Sequence, residues 1–136
     1  MTKIKYDINL MKYISLFESL TGAKLKDCVA NDVIMFIVRE NEMGKAIGKK
    51  GVNIRRIEGL LKKKIKLVEF NENVLQFIEN LIKPIKAKEI TNEDDVINIY
   101  ADDTKTKGML IGRDRNKINS INEIVKRYFK VEVKVA

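Results

Sequence analysis

The strongest constraint on this chain is that it matches itself. Displacing the sequence by 64 positions without gaps sets Gly44 on Gly108, Ile47 on Ile111, Gly48 on Gly112, Ile54 on Ile118 and Ile57 on Ile121. Conservative pairs fill the intervals: Val33 with Ile97, Met35 with Ile99, Ala46 with Leu110, Leu60 with Ile124 and Leu61 with Val125. Agreement at glycines and apolar positions, with free variation at polar ones, marks two copies of one supersecondary unit. The 136 residues accommodate two such modules, 1–71 and 72–136, with the boundary near Asn71 to Asn73. One proline and seven glycines leave no Gly/Ser linker between them, so a rigid, packed tandem is expected.

Each copy reads coarsely as α-β-β-α-α-β. Asp7 to Leu20 carries apolar residues at three- and four-residue spacing, with Asp7 an expected N-cap and Gly22 a stop. "DCVANDVIMFIV" suggests two short strands about an Ala-Asn-Asp turn. Met43 to Ile47 is a short helix, and Val52 to Lys63 a second one burying Ile54, Ile57, Leu60 and Leu61. "KIKLVEF" closes the unit as a strand whose facing the alternation leaves open. In the second copy, Val74 to Leu81 is helical and stops before Pro84. "PIKAKEI" and "DVINIYA" are the expected strands about "TNED". Thr104 to Ile111 and Asn116 to Phe129 are helices, and "KVEVKV" closes with clean alternation. Together these predict an α+β chain.

Charge is concentrated. Between Met43 and Lys66 lie nine basic residues against the single acid Glu58, so this window alone accounts for the net charge of +8. A chain tuned only for solubility would spread the excess; concentration in one segment predicts a polyanion-binding surface, nucleic acid ahead of membrane. There is no histidine, which removes the usual general base and the commonest metal ligand. The acids are scattered: Glu40 and Glu42, then Glu93, Asp94 and Asp95, then Asp102 and Asp103, each beside turn-forming or polar residues. An enzyme is not expected, nor a metal or other cofactor, nor a small-molecule substrate. Cys28, the lone cysteine, sits among apolar residues and is expected to be a core side chain. Most of Phe17, Phe36, Phe70 and Phe77 are expected in the core, leaving little aromatic surface for base stacking. No apolar run approaches the roughly 20 residues of a membrane span, and the lysine-interrupted N-terminus does not resemble a signal peptide, so an intracellular, cytoplasmic chain is expected.

The segment "GKAIGKKGVNIRRI" gives the charge a use. Lacking a Cβ, Gly48 and Gly51 can take positive φ and let a ligand backbone approach. The amides that open the following helix form an anion site, and Lys49 and Lys50 at the tip add full charges that point outward. Lys45, Arg55 and Arg56 flank the loop, while Ile47, Val52 and Ile54 would floor a groove on which bases lie. An NTPase-type phosphate loop fails on spacing, because Gly44 and Gly48 enclose three residues and Lys49 is followed by lysine, not Ser or Thr. The run Lys62-Lys63-Lys64 is either a solvated helix end favoured by the macrodipole or a distal phosphate contact.

"AIGKKGVNIRRI" resembles the Ile-Gly-x-x-Gly-x-x-Ile signature of KH domains, and the element order resembles their type II version. The resemblance implies two tandem type II KH domains and a grip on about four nucleotides of single-stranded RNA through the glycine loop. The spacing of the modules, with "LIKPIK" after the first, is similar to that of the archaeal NusA-like transcription family. That implies binding of nascent RNA in termination, antitermination or elongation. Bacterial relatives carry polymerase-binding and S1 segments for which this chain has no room. RNA polymerase therefore enters as a partner by resemblance alone. The competing reading is a module that docks on polymerase or ribosome and touches RNA only incidentally.

The second loop departs from the signature. Gly112 is kept, but Asp114 occupies the tip and Arg115 stands where glycine is expected. Arginine fits only if φ stays negative or strain is absorbed elsewhere. Asp114 repels phosphate, though it can cap the next helix. Arg113, Arg115 and Lys117 keep the local charge positive. The first module is accordingly expected to bind more strongly than the second.

Overall fold

A computed structural model describes residues 8–30 and 33–136. The chain divides between Phe70 and Asn71 into two compact units. It is a mixed α+β protein carrying two three-stranded sheets.

The first unit comprises α1 (Ile8–Thr21), β1 (Leu25–Ala30), β2 (Ile34–Val38), α2 (Met43–Ile47), α3 (Val52–Leu61) and β3 (Ile65–Glu69). The expected Asp7 cap and most of the Ala-Asn-Asp turn lie outside the described residues. Helix α1 ends at Gly22, whose φ of +75° suits glycine and whose N–H donates to the Glu18 carbonyl at 2.9 Å. The sheet runs β1-β2-β3, with β1 antiparallel and β3 parallel to the central β2. That centre explains the near-continuous apolar run of β2, in which Ile34, Phe36, Ile37 and Val38 are all buried. The Phe36 ring stacks on Phe17 of α1 at 4.4 Å between centroids, and both are fully buried. Phe70 is only half-buried, with Lys26 Nζ above its ring at 5.0 Å.

Cys28 is buried, and its thiol is pushed up to about 12, first by burial and then by the neighbouring Asp27 carboxylate. Only the thiolate is nucleophilic. The native protein is therefore expected to resist a thiol reagent at pH 8 over the time in which urea-unfolded chain reacts completely. Prompt reaction of native protein, read by absorbance, would contradict this packing.

Helix α3 is shorter than the spacing predicts. It stops at Leu61, and Lys62 takes the left-handed region (φ 54°) while donating to the Glu58 carbonyl. Leu60, expected inside, is 60% exposed. The inward stripe runs Ile54, Ile57, Leu61, and Leu60 lies about 100° round the axis from Leu61.

The second unit comprises α4 (Val74–Ile82), β4 (Glu89–Glu93), β5 (Val96–Tyr100), α5 (Thr104–Ile111), α6 (Asn116–Val125) and β6 (Glu132–Val135). Asn73 opens α4, its Oδ1 accepting from the amides of Leu75 and Gln76 at 2.9 and 3.3 Å. The buried face of α4 is Phe77, Ile78, Leu81 and Ile82, and Phe77 meets the rings of Tyr128 and Phe129 at 5.8 and 5.9 Å. Those two aromatics turn back after α6, which ends at Val125 and does not extend to Phe129 as the apolar spacing suggested. Asp103 caps α5 by accepting from Thr106 N at 2.7 Å, which holds its carboxyl below the ordinary range.

Two expectations shift. The strand anticipated at "PIKAKEI" begins only at Glu89, and Thr91 to Glu93, expected as a turn, complete it. The turn is Asp94-Asp95, both at positive φ (56° and 64°), a two-residue hairpin connection that fixes Glu93 opposite Val96. The ungapped self-match is also out by one in the central strands. β2 pairs Ile34 with Ile65, β5 pairs Ile97 with Val133, and Ile34, Phe36, Ile97 and Ile99 are all buried. Ile97 thus corresponds to Ile34, not to Val33, which is 38% exposed. A one-residue slip in a strand exchanges its faces, and burial of one face sets the register.

Candidate nucleic-acid interface

Between α2 and α3 the backbone makes a tight, exposed bend. Gly48 lies at φ 75°, ψ 170°, Lys50 at φ 56°, ψ 29°, and Gly51 at φ 73°, ψ 18°. The two glycines are not equivalent. Gly48 occupies a region essentially closed to residues with a side chain, and a Cβ there would stand 2.7 Å from Asn53 Nδ2. That amide donates to the Lys45 carbonyl at 2.9 Å and ties the end of α2 to the start of α3. Gly51 is merely left-handed, and a Cβ on it would meet nothing closer than Arg55 Nη1 at 3.5 Å.

The tip is presented, not buried. Lys49 and Lys50 are exposed and form no ion pair among the described residues. Arg55 Nη1 donates to the Lys50 carbonyl at 2.7 Å, so this arginine braces the loop and keeps other donors outward. Arg56 is exposed, and among the described residues the exposed Lys45 side chain makes one 3.5 Å contact, with the half-buried Glu42. Ile47 and Val52 are 36% and 38% exposed and Ile54 is half-buried, giving the apolar surface beside the loop that the spacing suggested. One expectation needs trimming. The amides of Gly51 and Val52 donate back to the carbonyls of Gly48 and Lys49, so they are not open to an anion. No side chain caps the start of α3.

The second loop follows the same path despite its altered sequence. Gly112 lies at φ 77°, ψ 170°, Asp114 at φ 52°, ψ 33°, and Arg115 at φ 61°, ψ 21°. Arg115 therefore does not keep a negative φ; it adopts the left-handed bend. Asp114 does not cap α6, where Arg115 is the N-cap residue and no side chain bonds the first turn. Gly112 is as constrained as Gly48, because a Cβ would meet Lys117 N at 2.7 Å. The repeat thus keeps glycine where the backbone demands it and releases it where a left-handed residue costs about 1 kcal/mol. Replacing Arg115 by Gly is expected to stabilise the second unit by up to about that amount, read as protection of α5 and α6 amides in hydrogen exchange. Faster exchange in the variant would show that the arginine side chain contributes more than its backbone costs. Arg113 and Arg115 are exposed and Lys117 is half-buried.

Each unit ties its loop helix to the strand that follows. In the first, Glu58 Oε2 accepts from Ile65 N at 3.3 Å and ties α3 to β3. In the second, Asn122 Oδ1 accepts from Val133 N at 2.8 Å while its Nδ2 donates to Val133 O at 2.9 Å. Beside this tie lies a cavity of about 540 Å³ whose lining includes Arg115, Ile118, Asn119, Glu123, Glu132 and Lys134. Of these, Arg115 was pointed to by charge and motif, and Ile118 by the self-match with Ile54. The others were signalled weakly, Asn119 and Glu123 by i, i+4 spacing and Glu132 and Lys134 by strand alternation. Among the described residues no cluster of His, Cys, Asp and Glu could hold a metal ion, and no helix is long and apolar enough to cross a membrane.

The KH domain family profile matches residues 12–84, which hold the whole Gly48–Gly51 loop and its flanking helices. A protein of Halococcus morrhuae, named probable transcription termination protein NusA, is 32% identical over 125 residues, covering 90% of each chain. The chain belongs to the archaeal NusA-like family of KH-domain proteins. A relative of the same name from Methanococcus vannielii is 39% identical over 89 residues, 65% of this chain and 51% of that one, so the match spans about half the relative's length. The crystal structure of APE1850 superposes with a TM-score of 0.73 at 25% identity, covering 96% of this chain and 99% of that one. Membership in the family agrees with the loop geometry, since the glycine-flanked, lysine-tipped bend is the feature on which the KH resemblance stood.

Proposed function

We propose that both units are type II KH modules, and that the chain binds single-stranded RNA chiefly through the Gly48–Gly51 loop. Lys49 and Lys50 clamp sugar-phosphate, and Ile47, Val52 and Ile54 lie under the bases. The observation that carries this reading is the pair of exposed lysines, free of ion pairs among the described residues, held between two positive-φ glycines beside exposed apolar surface. The name of the relatives, probable transcription termination protein, supports a role on nascent transcripts in termination or elongation. RNA polymerase is then the second partner, the chain works in the cytoplasm, and it performs no catalysis.

Titration with single-stranded RNA, duplex RNA and single-stranded DNA at two salt concentrations tests the reading. If about four to six cations meet phosphates, log affinity for single strands falls with log salt at about −0.7 per contact. Saturable binding that prefers single-stranded RNA supports the proposal. Absence of binding at low salt overturns it in favour of a protein-docking module.

A further inference from the structure

We propose that Arg55 serves RNA binding as a positioning residue, acting on the Gly48–Gly51 loop and not on the RNA. Its bond to the Lys50 carbonyl holds the loop, before a strand arrives, in the shape that presents Lys49 and Lys50. The inference rests on the RNA-binding reading above and adds a difference in loop order to the difference in loop charge.

The loop needs holding. Gly48 and Gly51 are the most permissive residues that can flank a bend. Lys50 between them sits at φ 56°, ψ 29°, a conformation disfavoured for any residue with a Cβ. Left to itself, such a segment spreads over several conformations, and a strand that requires one of them binds in proportion to its population. Two backbone bonds close the bend, Gly51 N to the Gly48 carbonyl at 3.1 Å and Val52 N to the Lys49 carbonyl. Neither involves Lys50.

Arg55 supplies what those bonds leave out. Its Nη1 donates to the Lys50 carbonyl at 2.7 Å, a charge-assisted bond. Pinning that carbonyl pins ψ of Lys50, on which the left-handed turn depends. The same nitrogen lies 3.5 Å from the place a Cβ on Gly51 would take, so the guanidinium is seated against Gly51 as well as bonded to Lys50. Arg55 is exposed and forms no ion pair among the described residues, so no acid there competes for it. A guanidinium held in this way secures the lysine that meets phosphate.

The second unit keeps the path and omits the latch. Matching the units through their loops sets Asn119 at the place of Arg55 and Arg115 at the place of Gly51. Asp114, the counterpart of Lys50, has φ 52°, ψ 33°, yet among the described residues no side chain bonds its carbonyl. Asparagine is too short to span what arginine covers, and the Asn119 side chain makes no hydrogen bond among those residues. The cation has moved from the brace into the bend. The same path held by fewer bonds is populated less.

Nitrogen-15 relaxation on the full chain reads loop order without RNA, and filter binding of single-stranded RNA at two salt concentrations reads its consequence. In the parent, Lys49 to Gly51 are expected to be as ordered as α3, with order parameters of about 0.85, and Asp114 less so. In Arg55→Met the loop values should fall below about 0.6 while those of α3 stay, and affinity should drop about three- to tenfold. The slope of log affinity against log salt should match the parent's, because no phosphate contact is lost. Moving the arginine within the second unit, Arg115→Gly/Asn119→Arg, keeps the net charge and should order that loop beyond Arg115→Gly alone. A slope shallower by about 0.7 in Arg55→Met marks a phosphate contact and overturns the inference. Unchanged loop order, unchanged affinity, or a second loop no better ordered by the transplanted arginine overturns it too, and each leaves the RNA reading standing. Failure of the parent to bind RNA at low salt overturns both, whatever the loop order.

Discussion

Reversing Lys49 and Lys50 together to Asp lowers affinity for single-stranded RNA by roughly 30- to 150-fold at low salt, about 2–3 kcal/mol for exchanging two charge-assisted hydrogen bonds to phosphate for repulsion. The two side chains are exposed and form no ion pair among the described residues, so the change breaks none there. Their contacts are to phosphate, so the loss is uniform across sequences, and the slope of log affinity against log salt shallows by about 1.4. The same reversal at Arg113 and Arg115 costs less, since Asp114 between them already offsets part of their charge. Filter binding at two salt concentrations reads both variants. An equal or larger loss at Arg113 and Arg115 would reverse the ranking of the two loops.

Gly48→Ala destabilises the first unit by about 2–4 kcal/mol, whereas Gly51→Ala costs about 1 kcal/mol. Two separate causes act at Gly48. Its φ 75°, ψ 170° is closed to alanine, and the new methyl would stand 2.7 Å from the Asn53 amide that holds α2 to α3. At Gly51 only the left-handed conformation is penalised, and Arg115 in the second unit sustains the same conformation with a side chain. Native-state hydrogen exchange of α2 and α3 amides resolves the effect within one unit, which global unfolding of a two-unit chain does not. Adding Asn53→Ala to Gly48→Ala relieves the contact and leaves the backbone strain, so only part of the loss returns. Equal effects at Gly48 and Gly51 would mean that the loop is not held as described.

Much of this was legible along the chain because it depends on local patterns. Self-similarity at glycines and isoleucines announced a repeated unit. The spacing of Met43 to Ile47 and Thr104 to Ile111 gave both short helices with their observed limits. The crowding of lysine around Gly48 and Gly51 pointed to the phosphate-facing loop. Each of these signals is carried by residues close in sequence, where propensity, charge and glycine content act without help from distant partners.

Other features were decided by contacts between distant residues. Strand register is set by which face of β2 and β5 meets the helices, so the self-match was out by one where the chain itself held no marker. Asp94 and Asp95 became a hairpin turn only once β4 had paired with β5. Leu60 was left outside because α3 turns Ile54, Ile57 and Leu61 inward, and Leu60 lies round the axis from them. Arg115 holds a left-handed conformation because the packing of α5 against α6 requires the same bend as in the first unit, at a cost the rest of the fold offsets. The groove lined by Asn119, Glu123 and Glu132 exists only when a helix and the strand that follows it come together. The sequence alone determined that the chain repeats a glycine-loop unit and where its charge lies. Tertiary structure decided which of those glycines are indispensable and which polar side chains share a groove, because both depend on distances between segments that no local pattern encodes.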